Sequence, residues 1–325
     1  MKRRRFLALL GGAATTPLAW PRVTRAQQRG KKIPRIGIID DAPIWNHFRE
    51  ALRQGGFIDG QTIAYEYRAA GGNPERLTAA AAELVSVPVD LIATYGTPAS
   101  RAAKAASSTI PIVAISIGDP VGAGLVRTLA HPGGNVTGNT ILAPDLGPKR
   151  LQLVKEIMPS ASRAALLWNP DNVSSSVMLE QMLTAAPGLG LEFTAVEARS
   201  AFDLEGAFAT LARERPDAVL LTGDPLHQVN IRTIIDLLAR HRLPGMFQTR
   251  DNVAAGGLMS YGASFPDLFR SGAVYAQKIL QGTKPADLPV QPPERFELVI
   301  NLKTAKAIGL TITEAFLLRC DEVIE

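Results

Sequence analysis

Short apolar runs alternate along this chain with longer segments whose apolar residues recur every three or four positions. Strands are predicted over 33–39, 62–67, 91–94 and 112–115, and helices over 47–54, 74–85, 98–107 and, more briefly, 125–129. Gly55-Gly56 stops the first helix, and Asn73-Pro74 opens the second with a capping residue and a proline suited to the first turn. The turn His131-Pro132-Gly133-Gly134-Asn135 follows. After Ala143-Pro144-Asp145 the pattern resumes, with helices over 148–158, 177–186, 203–214 and 229–240 and strands over 163–168, 192–196, 218–222 and 245–248. The last of these helices carries an apolar face of Val229, Ile231, Ile234, Ile235 and Leu238. Strands alternating with helices of this length imply α/β architecture with parallel sheets covered on both faces.

The last third breaks the rhythm. A strand over 258–261 and a helix over 267–281 lead into a proline-rich run, Gly282 to Pro293, then a strand over 296–300 and a helix over 302–308. Such an extension can return to a first sheet and then a second, making a hinge of several strands. About 300 residues suit two domains better than one. No heptad, solenoid period or low-complexity tract is present.

Charge changes the picture at one end. Lys2-Arg3-Arg4-Arg5-Phe6-Leu7 runs into a mild apolar segment ending at Trp20, too short and too rich in Gly, Ala and Thr to span a bilayer. Thr24-Arg25-Ala26 offers a cleavage site before Gln27. Residues 1–26 therefore read as a cleaved export signal, with Arg3-Arg4 resembling a twin-arginine leader and an ordinary secretory leader as the alternative. The chain carries +5, and its first 26 residues hold six basic groups and no acidic ones, so the remainder carries −1. No basic stripe is left to argue for nucleic acid or an anionic membrane surface. Cys320 is the only cysteine, so no internal disulfide forms and no lipid anchor follows the leader. A periplasmic, monomeric product without membrane insertion is expected.

In parallel α/β sheets, ligands bind beyond the carboxyl ends of the strands, where loops gather and helix N-termini point inward. Those positions hold Asp40 to Trp45, Tyr95-Gly96-Thr97-Pro98, Ser116 to Pro120, Asn169 to Asn172, Gly223-Asp224-Pro225 and Gln248 to Asp251. Thr97 reads as an N-cap and, with the helix start behind it, as a donor set for a carboxylate. Asp119 and Asp224 are candidates for an ammonium, and Arg250 for an acid or merely a surface carboxylate. Trp45, Tyr95, Trp168 and Phe247 are aromatic candidates for a pocket wall, though Trp168 and Phe247 also suit the core. Phosphate-loop, dinucleotide, metal-binding and nucleophile-elbow motifs are missing, so no cofactor or metal is expected. His47, His131, His227 and His241 are scattered, with His227 nearest a candidate loop.

Long motifs carry a resemblance. Gly96-Thr97-Pro98-Ala99, Gly118-Asp119-Pro120-Val121, Pro132 to Gly138, Leu146-Gly147-Pro148-Lys149-Arg150-Leu151, Ala254 to Gly262, Lys284 to Gln291 and Phe296 to Ala305 resemble the tryptophan/tyrosine-type ABC-transporter substrate-binding proteins across nearly the whole chain after the leader. The resemblance implies a type I periplasmic-binding-protein fold, with two Rossmann-like lobes joined by a multi-strand hinge. Their expected extents are 31–140 with 259–283, and 145–256 with 290–325. It also implies capture of a small molecule, an amino acid or an aromatic or carboxylate compound, for an inner-membrane ABC permease. A sensor feeding a membrane receptor is the alternative; an exported enzyme is less favoured. Carried onto this chain, Gly96-Thr97-Pro98, Asp119, Asn169, Asp224 and Ser260-Tyr261 become the expected contacts. Trp168 and Gln248-Thr249-Arg250-Asp251 depart from the family pattern at the expected pocket.

Overall fold

The computed structural model describes residues 33–325 apart from 41, 72 and 142, so the expected leader lies outside the described residues. The first sheet is parallel throughout. It contains β1 (Arg35–Ile39), β2 (Ala64–Arg68), β3 (Leu91–Tyr95), β4 (Ile112–Ile117) and β5 (Val136–Thr140), in the order β2-β1-β3-β4-β5. Three helices connect its strands: α1 (Trp45–Gln54), α2 (Pro74–Ser86) and α3 (Gly96–Ala106). Asn73 caps α2 by accepting from the Arg76 N–H at 3.0 Å, as the sequence predicts.

The second lobe starts with α4 (Ala143–Ile157), β6 (Arg163–Trp168), α5 (Val173–Ala185), β7 (Glu192–Glu197), α6 (Leu204–Glu214) and β8 (Ala218–Leu221). It continues through α7 (Pro225–Val229), α8 (Ile231–His241), β9 (Gly245–Phe247), α9 (Arg250–Ala254) and β10 (Met259–Ala263). Then α10 (Phe265–Leu280) returns to the first lobe, and β11 (Phe296–Asn301), α11 (Leu302–Ala307), α12 (Glu314–Leu317) and β12 (Glu322–Ile324) complete the second. Its seven strands run β12-β11-β10-β9-β8-β6-β7, and only the β10–β11 pair is antiparallel.

The chain crosses between lobes three times: between β5 and α4, at Ser264, and through the proline-rich run. The segment 259–283, expected whole in the first lobe, is divided: β10 is a strand of the second sheet and α10 packs on α1, β4 and β5. The reason is apolar. Phe269 meets Trp45 edge-on at 5.0 Å, and Gly272 lets α10 lie against Ile115. One apolar cluster consequently runs from the α10 face of the first sheet into the α4–α5 face of the second. Separate clusters fill the two outer faces, under α2–α3 and α6–α8.

Other differences are local. The helix expected over 125–129 is irregular, bent backbone. The helix expected over 229–240 begins at Ile231 and is preceded by the short α7, leaving Val229 half exposed. No strand is expected over 136–140, and Val-Thr-Gly-Asn-Thr has turn chemistry, yet these residues form β5 and all five are buried. Gly138 makes this strand possible. Its φ is +140°, and a Cβ there would lie 1.9 Å from the Ala114 carbonyl oxygen. Gly138→Ala is expected to lower stability by about 3 kcal/mol or more. Gly134→Ala, which meets nothing within 4 Å, serves as the neutral control in the same thermal unfolding measurement.

Candidate functional site

The carboxyl ends of both sheets face each other across a cleft. Its main cavity, about 510 Å³, is lined from the first lobe by Asp40, Ile44, Leu77, Tyr95 and Pro98, and by Phe265 of α10. The second lobe contributes Asp224, Pro225, Gln228 and the residues opening α8. That volume suits a small organic ligand. Backbone geometry at the first lobe's strand ends is unusual. Asp40 and Ser116, neither of them glycine, have φ of +59° and +60°. Around Ser116 the β4–β5 register shifts, so β4 ends in a bulge that turns its last residues toward the cleft.

Asp224 is the polar centre of the second wall. Its carboxylate caps α7 through the Leu226 N–H at 2.8 Å and accepts from Asn172 Nδ2 at 2.8 Å and Asn169 Nδ2 at 3.4 Å. It is 1% exposed, and among the described residues no lysine or arginine pairs with it. Across the cleft the buried Tyr95 hydroxyl has no partner among the described residues. Burial, then the nearby Asp224, push that phenol far above its ordinary range, so it stays a donor. Behind Asp224, His227 is buried and its Nδ1 lies 3.2 Å from both the Thr222 carbonyl and hydroxyl, with Nε2 unpaired. Burial holds its pKa below the ordinary 6.5, against the pull of Asp224.

Beside the main cavity the lobes touch. Thr97 Oγ1 lies 3.0 Å from Ser174 Oγ and accepts from the Gly118 N–H at 3.1 Å. Glycines permit this approach. A Cβ on Gly118 would sit 2.5 Å from Ser174 Cβ, and one on Gly96 2.8 Å from Pro225 Cγ. The crevice left between Ser116, Thr97, Ser174 and Thr222 holds about 10 Å³, room for one water. Ile33–Glu325 accordingly packs as one compact unit.

The structure thus brings Asp40, Tyr95 and Asp224 to one cavity, with Gly96 and Thr97 at the adjoining seam and Asn169 behind Asp224. Asp40 uses its carboxylate on the Ala70 N–H and, at 2.7 Å, the Gly71 N–H. Thr97 is not the N-cap: α3 begins at Gly96 and Tyr95 occupies the cap position. Trp45 is a core residue, fully buried, its indole N–H bound to the Asp40 carbonyl at 2.9 Å. Asp119 folds its own turn, accepting from the Val121 and Gly122 N–H groups. Half-buried Trp168 packs against the apolar cluster with its indole N–H unpaired, and Tyr261 stacks on Phe296 at 5.9 Å; neither lines the main cavity. Arg250 is held by Glu322 through two 2.7 Å hydrogen bonds.

Sequence reasoning missed Phe265, Ser174 and the start of α8. The Asn172 cap and the Asn230 break are the signals that mark the last two. It also passed over Arg150, fully buried in α4. Its Nε donates to the Tyr261 carbonyl at 2.7 Å, and with the Gln248 amide oriented to its hydrogen-bonding network, Nη1 donates to that side chain at 3.1 Å. Gln248 in turn accepts from the Gly223 N–H, so one guanidinium ties the loops after β8 and β9 to the middle of β10.

Two parallel α/β lobes, three crossings and a ligand-sized cleft define a type I periplasmic-binding-protein fold, which solved structures of 11–16% identity share. More narrowly, the family model for ABC transporter substrate binding protein matches residues 42–324, and the chain belongs to that family. It is similar to a tyrosine-binding protein of Clostridioides difficile (strain R20291), 28% identical over 264 residues, 81% of this chain and 75% of that one. It also resembles an ABC domain from Streptococcus pneumonia in complex with L-Trp, at 25% identity and TM-score 0.81, covering 90% of this chain and 99% of that one. A ligand-free, open substrate-binding protein from Clostridium difficile has the same identity and coverage but a TM-score of 0.61. At equal identity and coverage, this chain superposes more closely on the complex than on the ligand-free, open form.

Gly118→Ala is expected to wedge the seam, raising the radius of gyration in small-angle scattering and weakening ligand binding about tenfold. Ser174→Gly in the same chain removes the clashing atoms and should restore both. His227 gives a pH dependence. Above 6.5 its imidazole is neutral folded and unfolded; as pH falls below 6.5 the unfolded chain alone takes up the proton, so stability declines. His227→Gln should flatten that acid limb of the unfolding midpoint.

Proposed function

We propose that this protein is the periplasmic solute-binding component of an ABC importer and that it captures an amino acid with an aromatic side chain. The observation that carries the reading is the pairing across one cavity of a buried carboxylate, Asp224, with a buried and unpartnered hydroxyl, Tyr95. A buried carboxylate with which no lysine or arginine of the described residues pairs favours a ligand that brings a cation. The apolar side chains of Ile44, Leu77, Pro98 and Phe265 leave room beside it for a flat apolar group. The tyrosine-binding relative and the relative solved with L-Trp support this ligand class.

Capture, not chemistry, is the mechanism. The lobes open and close about the crossings, and a ligand that touches both stabilises the closed form by its differential affinity. The closed protein, a monomer released from its leader, then docks on an inner-membrane permease. Among the described residues no helix is long and apolar enough to cross a membrane.

Thermal unfolding of ligand-stripped protein tests the reading. L-tryptophan or L-tyrosine at a hundred times its dissociation constant should add about 2.7 kcal/mol and raise the midpoint by a few degrees. Asp224→Asn keeps an acceptor for the α7 cap and should fold, but lose at least about tenfold in affinity. No stabilisation by any aromatic amino acid would overturn the assignment of ligand class.

A further inference from the structure

Arg232 and Arg250 line cavities near the cleft, and the sequence singled out only Arg250. Arg250 is engaged by Glu322 and lines a separate charged groove. Arg232, the second residue of α8, lines the main cavity, and among the described residues no ion pair or hydrogen bond engages its guanidinium. A cation in a helix's first turn is opposed by the helix dipole, and α8 has no acidic residue there to offset it. Nor is the helix capped by a side chain. Asn230, at the cap position, donates its amide to the Leu226 carbonyl at 2.8 Å instead. The first N–H groups of α8, on Ile231, Arg232 and Thr233, have no intrahelical acceptor, and all three residues line the cavity. Independently, the Tyr95 hydroxyl on the opposite wall is buried and without a partner.

The nearby acids do not neutralise this set. Asp40 is bound to backbone N–H groups, Asp251 lies 3.8 Å from Arg250, and Asp224 is the cap of α7. The competing helix start, at α3, is closed off where Thr97 meets Ser174 and the Gly118 N–H. We propose that the start of α8 is a carboxylate subsite, in which the first-turn N–H groups and Arg232 bind the acid group of the ligand while the Tyr95 hydroxyl donates to the same molecule. The proposal rests on the cavity being the ligand site. It defines the ligand as an acid, with any amine directed to Asp224 and its apolar part along Ile44, Leu77 and Pro98.

The test is isothermal titration of the purified protein with L-tryptophan, tryptamine, which lacks the carboxylate, and indolepropionate, which lacks the amine. The matching tyrosine series is run beside it. Wild-type protein is expected to bind the two acids at least about tenfold more tightly than the amine. Arg232→Gln, an exposed substitution whose fold is checked by thermal unfolding, should erase that preference by weakening the acids and sparing the amine. Arg232→Lys should retain part of it. An acid preference unchanged in Arg232→Gln, or a wild-type protein that binds amine and acid equally, overturns the carboxylate subsite and leaves amino-acid capture standing. A wild-type protein that binds none of the compounds overturns both.

Discussion

A buried carboxylate organises the cleft side of the second lobe. Asp224 is taken out of water with only neutral donors around it, and such a group is tolerable only when its oxygens are satisfied. Satisfying them brings the loop after β6, through Asn169 and Asn172, against the loop after β8. It also sets the start of α7, and α8 follows one residue later. The wall that faces the first lobe is therefore built around one side chain, and so is the seat of Ser174, one residue into α5. Arg150 does the complementary work farther along the sheet, where it joins the loop after β8 to β9 and β10.

Closure depends on what is missing as much as on what is present. Gly96 and Gly118 allow two lobes to meet at van der Waals distance beside a cavity that stays open. The hydroxyl pair Thr97–Ser174 is short and polar, so the contact adds little apolar area and can part again. The larger apolar cluster that bridges the lobes lies with α10 and the crossings. Strong packing near the hinge and weak polar contact at the cleft are what a closing protein needs, since the first keeps the lobes together and the second lets them separate.

The lobes' α/β alternation was legible because burial of a parallel sheet demands apolar runs and covering helices demand a three-to-four-residue period. Where the period is short or mixed, it misled. β5 is written in turn residues and is a strand only because β4 and α10 bury it. The continuous apolar pattern through Val229 and Ile231 hid the break at Asn230, and with it the start of α8. Asp224 and Tyr95 were recognised from position, since residues just past strand ends reach the cleft in this architecture. Trp45 shared that position and went to the core, because Phe48 and Phe269 lie on its side of the sheet.

By itself, the sequence determined the class of fold, the repeated order of strand and helix, and the set of loops from which a site can be drawn. Periodicity and local turn chemistry are properties of neighbours along the chain, so they can be read there. Tertiary structure decided which loop residues face the cleft, which glycines let the lobes touch, and which arginine is free. Arg250 and Arg232 show the difference. In sequence both are arginines beside a helix start, and only the fold sets Glu322, seventy-two residues away, against Arg250, leaving Arg232 without a partner among the described residues.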